Sequence, residues 1–385
     1  MRRWSCLLML ILILLAAAAG CSQRQALDPG NTGLDSVPAE SGSLAAVPAD
    51  SSGSPTDAQS PERQESPDNP AAPEGSDSPV SSPALQTAEP VGNSPSAAGA
   101  GTVRLTISKN YGRETLAAKQ AAIQADWTVL DLLDANTSVT TKYDGSFING
   151  LAGIESDSGG WVGEKKDWFF YVNGICTDVG ALGYTLRSGE AVWWDYHPWT
   201  SLGNAYSAVI GCYPEPFIHG YRGQAGPVTI MTAPDSQDLG SRLQTALKKQ
   251  GAAAVTVTAL DNNRLENRNG PVMVVGTWDQ VKQMPWLAGL NEAYRKTGIS
   301  VHFKDEGLEL LDYKGGAART ISGSAGIIAA CGSGLGDASP VWLVVGTDLA
   351  GAQQAVEVLV SNPAGIRQCY SVALTDGQLI RLPLQ

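Results

Sequence analysis

The 385-residue sequence predicts an α+β grasp-like domain followed by an α/β domain, after a disordered tether. Three observations predict this order. Residues 22–100 contain no aromatic side chain, short alternating strand patterns begin at Gly101, and continuous apolar runs leading into helical patterns begin at Pro227. We therefore divide the chain into a signal peptide at 1–20, a tether at 21–100, a first domain at 101–200, a junction at 201–226 and a second domain at 227–385.

The first 21 residues have the order of a secretory signal. Arg2 and Arg3 precede an apolar run at 7–15, and small residues then lead to Cys21. The run is shorter than the about 20 residues that span a bilayer. The small residues before Cys21 resemble the lipobox of bacterial lipoproteins, which implies cleavage before Cys21 and lipidation of that residue. We expect an extracytoplasmic protein anchored to the bacterial membrane; a plain secreted protein and an uncleaved anchor are the alternatives.

Residues 22–100 are rich in Ser, Pro, Ala and Gly and carry eleven acidic residues against two arginines. Such a segment cannot bury enough apolar surface to offset its ordering entropy, so we expect a disordered spacer. The whole chain has a net charge of −12. Nucleic acid is therefore excluded as a partner, because phosphate binding needs a basic surface.

The first domain begins with a half-buried strand in which Val103, Leu105 and Ile107 alternate with polar residues. A short amphipathic helix starts near Val129, with Asp126 or Thr128 as its N-cap. Two aromatic strands follow, at 168–172 and 191–196. One helix among several short strands is typical of an α+β fold.

These segments resemble the transcobalamin-like C-terminal domain, a family of bacterial surface domains, over residues 102–198. The matching segments are 128–133, 151–154, 168–174, Gly180-Ala181, Tyr184, Leu186 and Gly189-Glu190, followed by Val192, Trp194 and Tyr196. The family usually has Gly-Asp where this chain has Gly189-Glu190. The resemblance implies a non-enzymatic protein that captures cobalamin or a related corrinoid as ligand, requires no cofactor, and passes the ligand to a vitamin-transport permease.

The second domain contains three apolar runs that each begin with Pro-Val, at 227–232, 271–277 and 340–347. Each run ends near an acidic residue and leads into a helical pattern, as in a sheet covered by helices on both faces. The acids are Asp235, Asp279 and Asp348. They are either helix N-caps or ligand contacts beyond the carboxyl ends of the strands. The glycine-rich segment 332–337 lacks dinucleotide-loop spacing and is interpreted as a mobile connector.

Candidate ligand contacts come from strand alternation in the first domain. Trp193 and Tyr171 lie on the face opposite Trp194 and Phe170, and only one face can line the domain's own core. The surplus aromatics either form a ligand platform that includes Tyr171, Trp193 and Trp168, or pack against the second domain. Asn173, before Gly174, is either a further ligand contact or part of a type I′ hairpin turn.

No catalytic or metal-binding motif is present. The three histidines, at 197, 219 and 302, have no metal-ligand spacing, and a Cys212–His219 catalytic pair lacks an orienting third group. Four cysteines follow residue 100, which allows the disulfides Cys176–Cys212 and Cys331–Cys369; free thiols are the alternative.

Two other classes of function remain open at this stage. A cell-wall or protein adhesion module needs the same tether and an exposed surface. A wall-acting hydrolase needs two facing carboxylates at a glycosidase separation, which sequence does not give.

The signal sequence generates a test. Cys21→Ala should abolish metabolic incorporation of labelled lipid and release the protein from the membrane fraction, because the thiol is the predicted acceptor. The measurement is lipid labelling with membrane fractionation of wild type and variant. Equal label and equal membrane retention in the two proteins would contradict lipidation at Cys21.

Overall fold

The computed structural model describes residues 100–160, 163–199 and 206–385. The predicted signal peptide, almost all of the predicted tether, and Cys21 lie outside the described residues. Within the described ranges, no helix is both long and apolar enough to cross a membrane.

The first domain is built on a five-stranded sheet with strand order β2-β1-β8-β6-β7. Its strands are β1 (Gly101–Lys109), β2 (Glu114–Ile123), β6 (Lys165–Val172), β7 (Ile175–Cys176) and β8 (Ala191–Trp199). Strands β1 and β8 are parallel, and the other neighbours are antiparallel. Strand β8 lies at the centre, so the aromatic run predicted from sequence is the middle of the sheet.

One helix and a small second sheet complete the first domain. Helix α1 (Val129–Asp134) has Thr128 as its N-cap, one of the two residues predicted for that position. The Thr128 side chain accepts a hydrogen bond from the Asp131 amide, and the Asp131 carboxylate accepts one from the Thr128 amide. The small sheet contains β3 (Val139–Lys142), β4 (Phe147–Leu151) and β5 (Ile154–Glu155). The domain core lies between α1 and one face of the large sheet, where Val192 and Trp194 are buried.

The second domain has a seven-stranded sheet with strand order β10-β9-β11-β16-β15-β17-β18. Its strands are β9 (Val228–Thr232), β10 (Val255–Ala259), β11 (Val272–Thr277), β15 (Gly326–Cys331), β16 (Val341–Gly346), β17 (Ser371–Thr375) and β18 (Gln378–Leu382). The first four strands in the order are parallel, and the last three add antiparallel pairs. The sheet is therefore mixed, and the three Pro-Val runs form its parallel strands β9, β11 and β16.

Helices cover this sheet, and a three-stranded meander adds to one side. The helices are α2 (Gln237–Lys249), α3 (Asn262–Glu266), α4 (Trp278–Val281), α5 (Pro285–Glu292) and α6 (Leu349–Ser361); the meander strands are β12 (Val301–Lys304), β13 (Gly307–Leu311) and β14 (Ala317–Ile321). The single helix predicted after β11 is broken, because Pro285 cannot continue α4 and instead begins α5. Both faces of the sheet carry a buried apolar cluster, which explains the continuous apolar strands.

The described part of the predicted junction, residues 206–226, is mostly buried and connects three clusters. Ile210 and Phe217 pack into one core of the second domain, whereas Val209 and Cys212 pack against the outer face of the first sheet. Tyr221 belongs to the core of the first domain. The segment therefore acts as shared packing between the domains and not as an exposed linker.

A buried carboxylate, Asp195, lies at the centre of the contact between the domains and is fully inaccessible to solvent. Its Oδ1 accepts hydrogen bonds from Ser108 Oγ at 2.5 Å and from the Gly112 amide at 2.8 Å. Its Oδ2 accepts the Tyr111 amide at 2.9 Å and lies 2.9 Å from His197 Nδ1. These partners compensate a burial that would otherwise be costly for a charged group.

Tyr370, from the second domain, joins the same network. Its hydroxyl lies 3.4 Å from Asp195 Oδ2 and 3.2 Å from His197 Nδ1. Its ring makes edge contacts with Tyr171 and Trp193. Two arginines add reciprocal contacts: Arg113 donates to the Pro383 carbonyl of the second domain, and Arg381 donates to the Gly112 carbonyl of the first.

The burial of Trp193 generates a stability prediction. Trp193→Ala should lower the free energy of unfolding by about 3–5 kcal/mol, because it leaves a cavity between the domains and removes the indole hydrogen bond to Ser108. Denaturant unfolding of the full chain measures the effect. The matched control is Trp199→Ala at the exposed end of the same strand, which should change stability by less than about 1 kcal/mol. Equal stability of the two variants would contradict the buried role.

Candidate functional site

Two of the predicted ligand contacts are covered by the second domain. Tyr171 and Trp193 lie on the face that alternation assigned to them, yet they are only 1% and 2% exposed. Val209, Cys212 and Tyr370 pack over them. The surplus aromatic face is therefore buried packing, the alternative left open by the sequence, and neither ring is available to a ligand at the surface of this structure.

The other two predicted contacts, Trp168 and Asn173, are also buried. Trp168 packs in the core of the first domain and donates its indole N–H to the Ile154 carbonyl at 2.9 Å. Asn173 has φ +53° and precedes Gly174 at +78°, as a type I′ turn requires. Its side chain donates to the Gly220 carbonyl and accepts from the Ala191 amide, so its hydrogen bonds stabilise the turn and the junction.

Exposed apolar side chains mark a different surface of the first domain. Seven large apolar residues are exposed in the described part of the chain: Leu116, Tyr143, Phe147, Leu182, Trp199, Leu335 and Leu349. Three of them lie on neighbouring segments, and we call Tyr143, Phe147 and Leu182 the hairpin patch. Tyr143 is the most exposed of the seven, at 78%.

The β3–β4 hairpin positions the patch. Its turn places Tyr143, Asp144 and Gly145 at positive φ, between 54° and 85°, and Ser146 Oγ donates back to the Tyr143 carbonyl at 2.7 Å. A Cβ at Gly180 would lie 2.9 Å from the Ser146 carbonyl oxygen, so the short helix Ala181–Gly183 lies directly beside the turn. The segment that carries Leu182 therefore lies beside the hairpin turn.

Sequence reasoning missed this patch because Tyr143 is a lone aromatic in a polar turn and Phe147 begins a short strand, whereas the aromatic runs at 168–172 and 191–196 dominate the pattern. The available signal was the sequence Lys142-Tyr143-Asp144-Gly145, a hairpin turn that carries an aromatic residue. Turn residues usually face solvent, so an aromatic there has no core to enter.

The three acids near the carboxyl ends of the second-domain strands have different roles. Asp348 is the N-cap of α6 and accepts the Gly351 amide at 2.7 Å, as predicted for a cap. Asp235 instead accepts from the Gln280 side chain, and Asp279 forms an ion pair with Lys282 at 2.7 Å.

Asp279 and Asp348 line one cleft of about 460 Å³ with the meander hairpin at Asp305. No group of three potential metal ligands occurs among the described residues.

His219 does not form a pair with Cys212. Its Nδ1 lies 2.6 Å from Glu215 Oε1, and the hydrogen bond to Glu215 raises the pKa of the imidazole. Burial raises the pKa of the Cys212 thiol to about 11, the opposite of what a nucleophile needs. His197 is buried in the Asp195 network. These placements offer no nucleophile with a base.

All four described cysteines are free thiols, the alternative that the sequence left open. Cys331 and Cys369 pack in clusters on opposite faces of the seven-stranded sheet, which separates them. Cys176 and Cys212 share the aromatic cluster between the domains but form no disulfide.

Comparison with known proteins identifies one part of the chain. Residues 126–198 match the family described as Domain of unknown function (DUF4430), so this domain is present within the first domain. No curated protein matches the chain.

Two solved structures are similar to parts of the chain. One is haptocorrin in complex with Cbi, with 14% identity and a TM-score of 0.23, over 27% of this chain and 26% of that chain. The chain thus spans about a quarter of the haptocorrin length. The other is a proposed metal-binding protein from Ruminococcus gnavus, with 13% identity and a TM-score of 0.21, over 26% of this chain and 99% of that chain.

The thiols generate a chemical prediction. Burial raises the pKa of Cys331 and Cys176 to about 12 and that of Cys369 to about 11. Alkylation by iodoacetamide at pH 8 should therefore be at least roughly a hundredfold slower in the native protein than in denaturant, because the thiolate is the reactive form. Mass spectrometry without reductant measures the labels. Fewer than four labelled sites among these cysteines in the unfolded chain would instead indicate a disulfide.

Proposed function

We propose that the protein is an extracytoplasmic binding lipoprotein, anchored to the membrane through lipidated Cys21, whose first domain captures cobalamin or a related corrinoid for uptake. In this proposal the hairpin patch is the ligand-contacting surface, and the tether lets the folded part reach ligand and then a membrane permease. The protein carries out no covalent chemistry on the ligand.

The exposed hairpin patch is the observation that carries the proposal. Large apolar side chains that cluster on an exposed surface mark interaction sites more often than chance exposure does. The patch includes Tyr143 and Phe147, and aromatic faces give a large contact area at modest entropy cost. A flat, largely apolar ring system is the ligand that such side chains fit best. The resemblance of residues 102–198 to transcobalamin-like domains supplies the choice of a corrinoid.

Charge around the patch favours an uncharged ligand face. Lys142 and Asp144 flank Tyr143 in the sequence with opposite charges. Asp178, close to Leu182 in the sequence, is paired with Arg222 at 2.7 Å. The patch thus offers no net charge that would select an anionic or cationic partner, so shape and apolar contact would dominate binding.

Catalysis has less support than binding. The Cys212 thiol has a raised pKa, and the three carboxylates at the strand ends, Asp348, Asp235 and Asp279, are engaged by a helix N-terminus, a glutamine side chain and a lysine. A wall or protein adhesion module remains the second candidate, because an exposed apolar patch on a tethered protein also suits that role.

The hairpin patch generates a binding prediction. Tyr143→Ala and Phe147→Ala should each weaken binding of cyanocobalamin or dicyanocobinamide about five- to thirtyfold, the effect of losing an aromatic contact of about 1–2 kcal/mol. Corrin absorbance or titration calorimetry on the purified full chain measures affinity. Tyr143→Ala should barely change stability, because Tyr143 lies in an exposed turn.

The matched control is Leu116→Ala on β2 of the same domain. Leu116 is 39% exposed and Phe147 is 38% exposed, so the two truncations remove similar exposed surface at different places. Leu116→Ala should bind like wild type. Absence of corrinoid binding by wild type at tens of micromolar would reject the corrinoid. Co-sedimentation with isolated cell wall that depends on Tyr143 would then favour adhesion.

A further inference from the structure

A cluster of three titratable side chains lies where the junction segment 206–226 meets the first domain. Glu190 and Glu215 are buried, at 1% and 4% exposed, and the side chain of His219 is half-buried beside them. None of the three has a part in the proposed binding. A buried carboxylate is tolerated only when it has partners, so the groups around these two acids decide how firmly the segment is held.

The carboxylate of Glu215 fixes the orientation of the imidazole. Its Oε1 lies 2.6 Å from His219 Nδ1, and its Oε2 accepts the His219 amide at 2.9 Å. The Glu215 amide donates to the Cys212 carbonyl at 3.2 Å, which fixes the acid in turn. An ionised carboxylate only accepts hydrogen bonds, so Nδ1 is the donor and Nε2 is the atom that gains or loses the proton.

The Nε2 side of the ring lies against the first domain. A Cβ on Gly189 would lie 2.5 Å from His219 Nε2, so the imidazole lies directly against the turn that precedes β8. The next residue is Glu190, whose two oxygens accept the Tyr184 hydroxyl and the Arg187 amide, each at 2.9 Å. The ring therefore lies between the carboxylate of the junction and the turn that carries the second buried carboxylate.

The charges around the imidazole favour its protonated form. The hydrogen bond to Glu215 raises the pKa of His219, and the negative charges of Glu215 and Glu190 raise it further, against the effect of burial. Burial also raises the pKa of Glu190, while the positive charge of Arg187 favours its ionised form. A protonated His219 thus offsets negative charge that burial makes costly, and a neutral His219 does not.

The residues that follow His219 bind the first domain. The Gly220 carbonyl accepts the Asn173 side chain at 2.8 Å, and the Arg222 amide donates to the Tyr184 hydroxyl at 3.1 Å. Since Tyr184 also donates to Glu190, these contacts share a partner with the buried carboxylate beside the ring. A change of charge on His219 therefore acts at the point where the segment is attached.

We propose that His219 is a pH-sensitive latch: its charged form holds the junction segment against the Gly189 turn of the first domain, and its neutral form loosens this contact. The folded-state pKa of His219 lies above the unfolded value of about 6.5. The contribution to stability is therefore fully present below about pH 6.5, and it is lost as the pH rises through the folded-state pKa. This proposal does not depend on the identity of any ligand.

Hydrogen exchange tests the latch in the purified full chain. His219→Gln keeps a donor for Glu215 but cannot be charged. At pH 6, residues 206–226 should exchange about fivefold faster in His219→Gln than in wild type, the upper range for a partly exposed ion pair. The ratio should fall as the pH is raised to 9. Each comparison is made at one pH, so intrinsic exchange rates cancel.

The matched control is His302→Gln, which removes an imidazole paired with Glu309 in the meander of the second domain. Exchange of residues 206–226 in this variant should equal that of wild type at every pH. Equal exchange in wild type and His219→Gln at pH 6, or a ratio that does not change with pH, would overturn the latch. The same acceleration in His302→Gln would also overturn it, because the effect would not belong to the junction.

A proton NMR titration decides the question without relying on the folding of His219→Gln. The chain has three histidines, so their ring signals are separable, and the signal absent from the His219→Gln spectrum, or the one shifted by Glu215→Gln, belongs to His219. Its pKa in wild type should exceed 6.5, and Glu215→Gln should lower the pKa of His219 by removing the paired charge. A wild-type pKa at or below 6.5 would reject the proposal.

Discussion

The buried carboxylate of Asp195 is the constraint on which the arrangement of the two domains depends. A charged group without solvent contact is tolerated only when its oxygens are fully hydrogen-bonded. Here the partners come from β1, from the turn that follows it, from His197 on the same strand, and from Tyr370 of the second domain. Removing the second domain would expose this network and the aromatic rings around it to water.

This constraint decides which surface is left for function. The aromatic face with Tyr171 and Trp193 is used to join the domains, and the opposite face is the core of the first domain. Both faces of the sheet are covered at strands β6 and β8, so the proposed function places the ligand surface on the turns and loops at the edge. The hairpin patch is at such a place, as is common for binding sites on a rigid scaffold.

The close joining of the domains also fixes the second domain against the first. It covers the aromatic face of the first domain and places a hydrogen-bonded loop, residues 332–337, against the edge strand β7. Its own apolar sheet, buried on both faces, provides a rigid base for that loop. The two domains therefore share one packed boundary and are not two independent modules.

The sequence by itself determined the order of the two fold classes and the strands at 168–172 and 191–196. It also determined how the side chains of these strands alternate between the two sheet faces, and Thr128 as one of two possible N-caps of helix α1. These features depend on local periodicity and capping, which a single chain segment encodes. It did not determine the mixed sheet, the break at Pro285, or the burial of His197. Only the tertiary structure decided which aromatic face is covered, because Tyr370 lies almost two hundred residues beyond Tyr171 and no local pattern relates them. For the same reason the candidate site moved from Trp193 to Tyr143: exposure is a property of what packs over a residue, and that depends on distant parts of the chain.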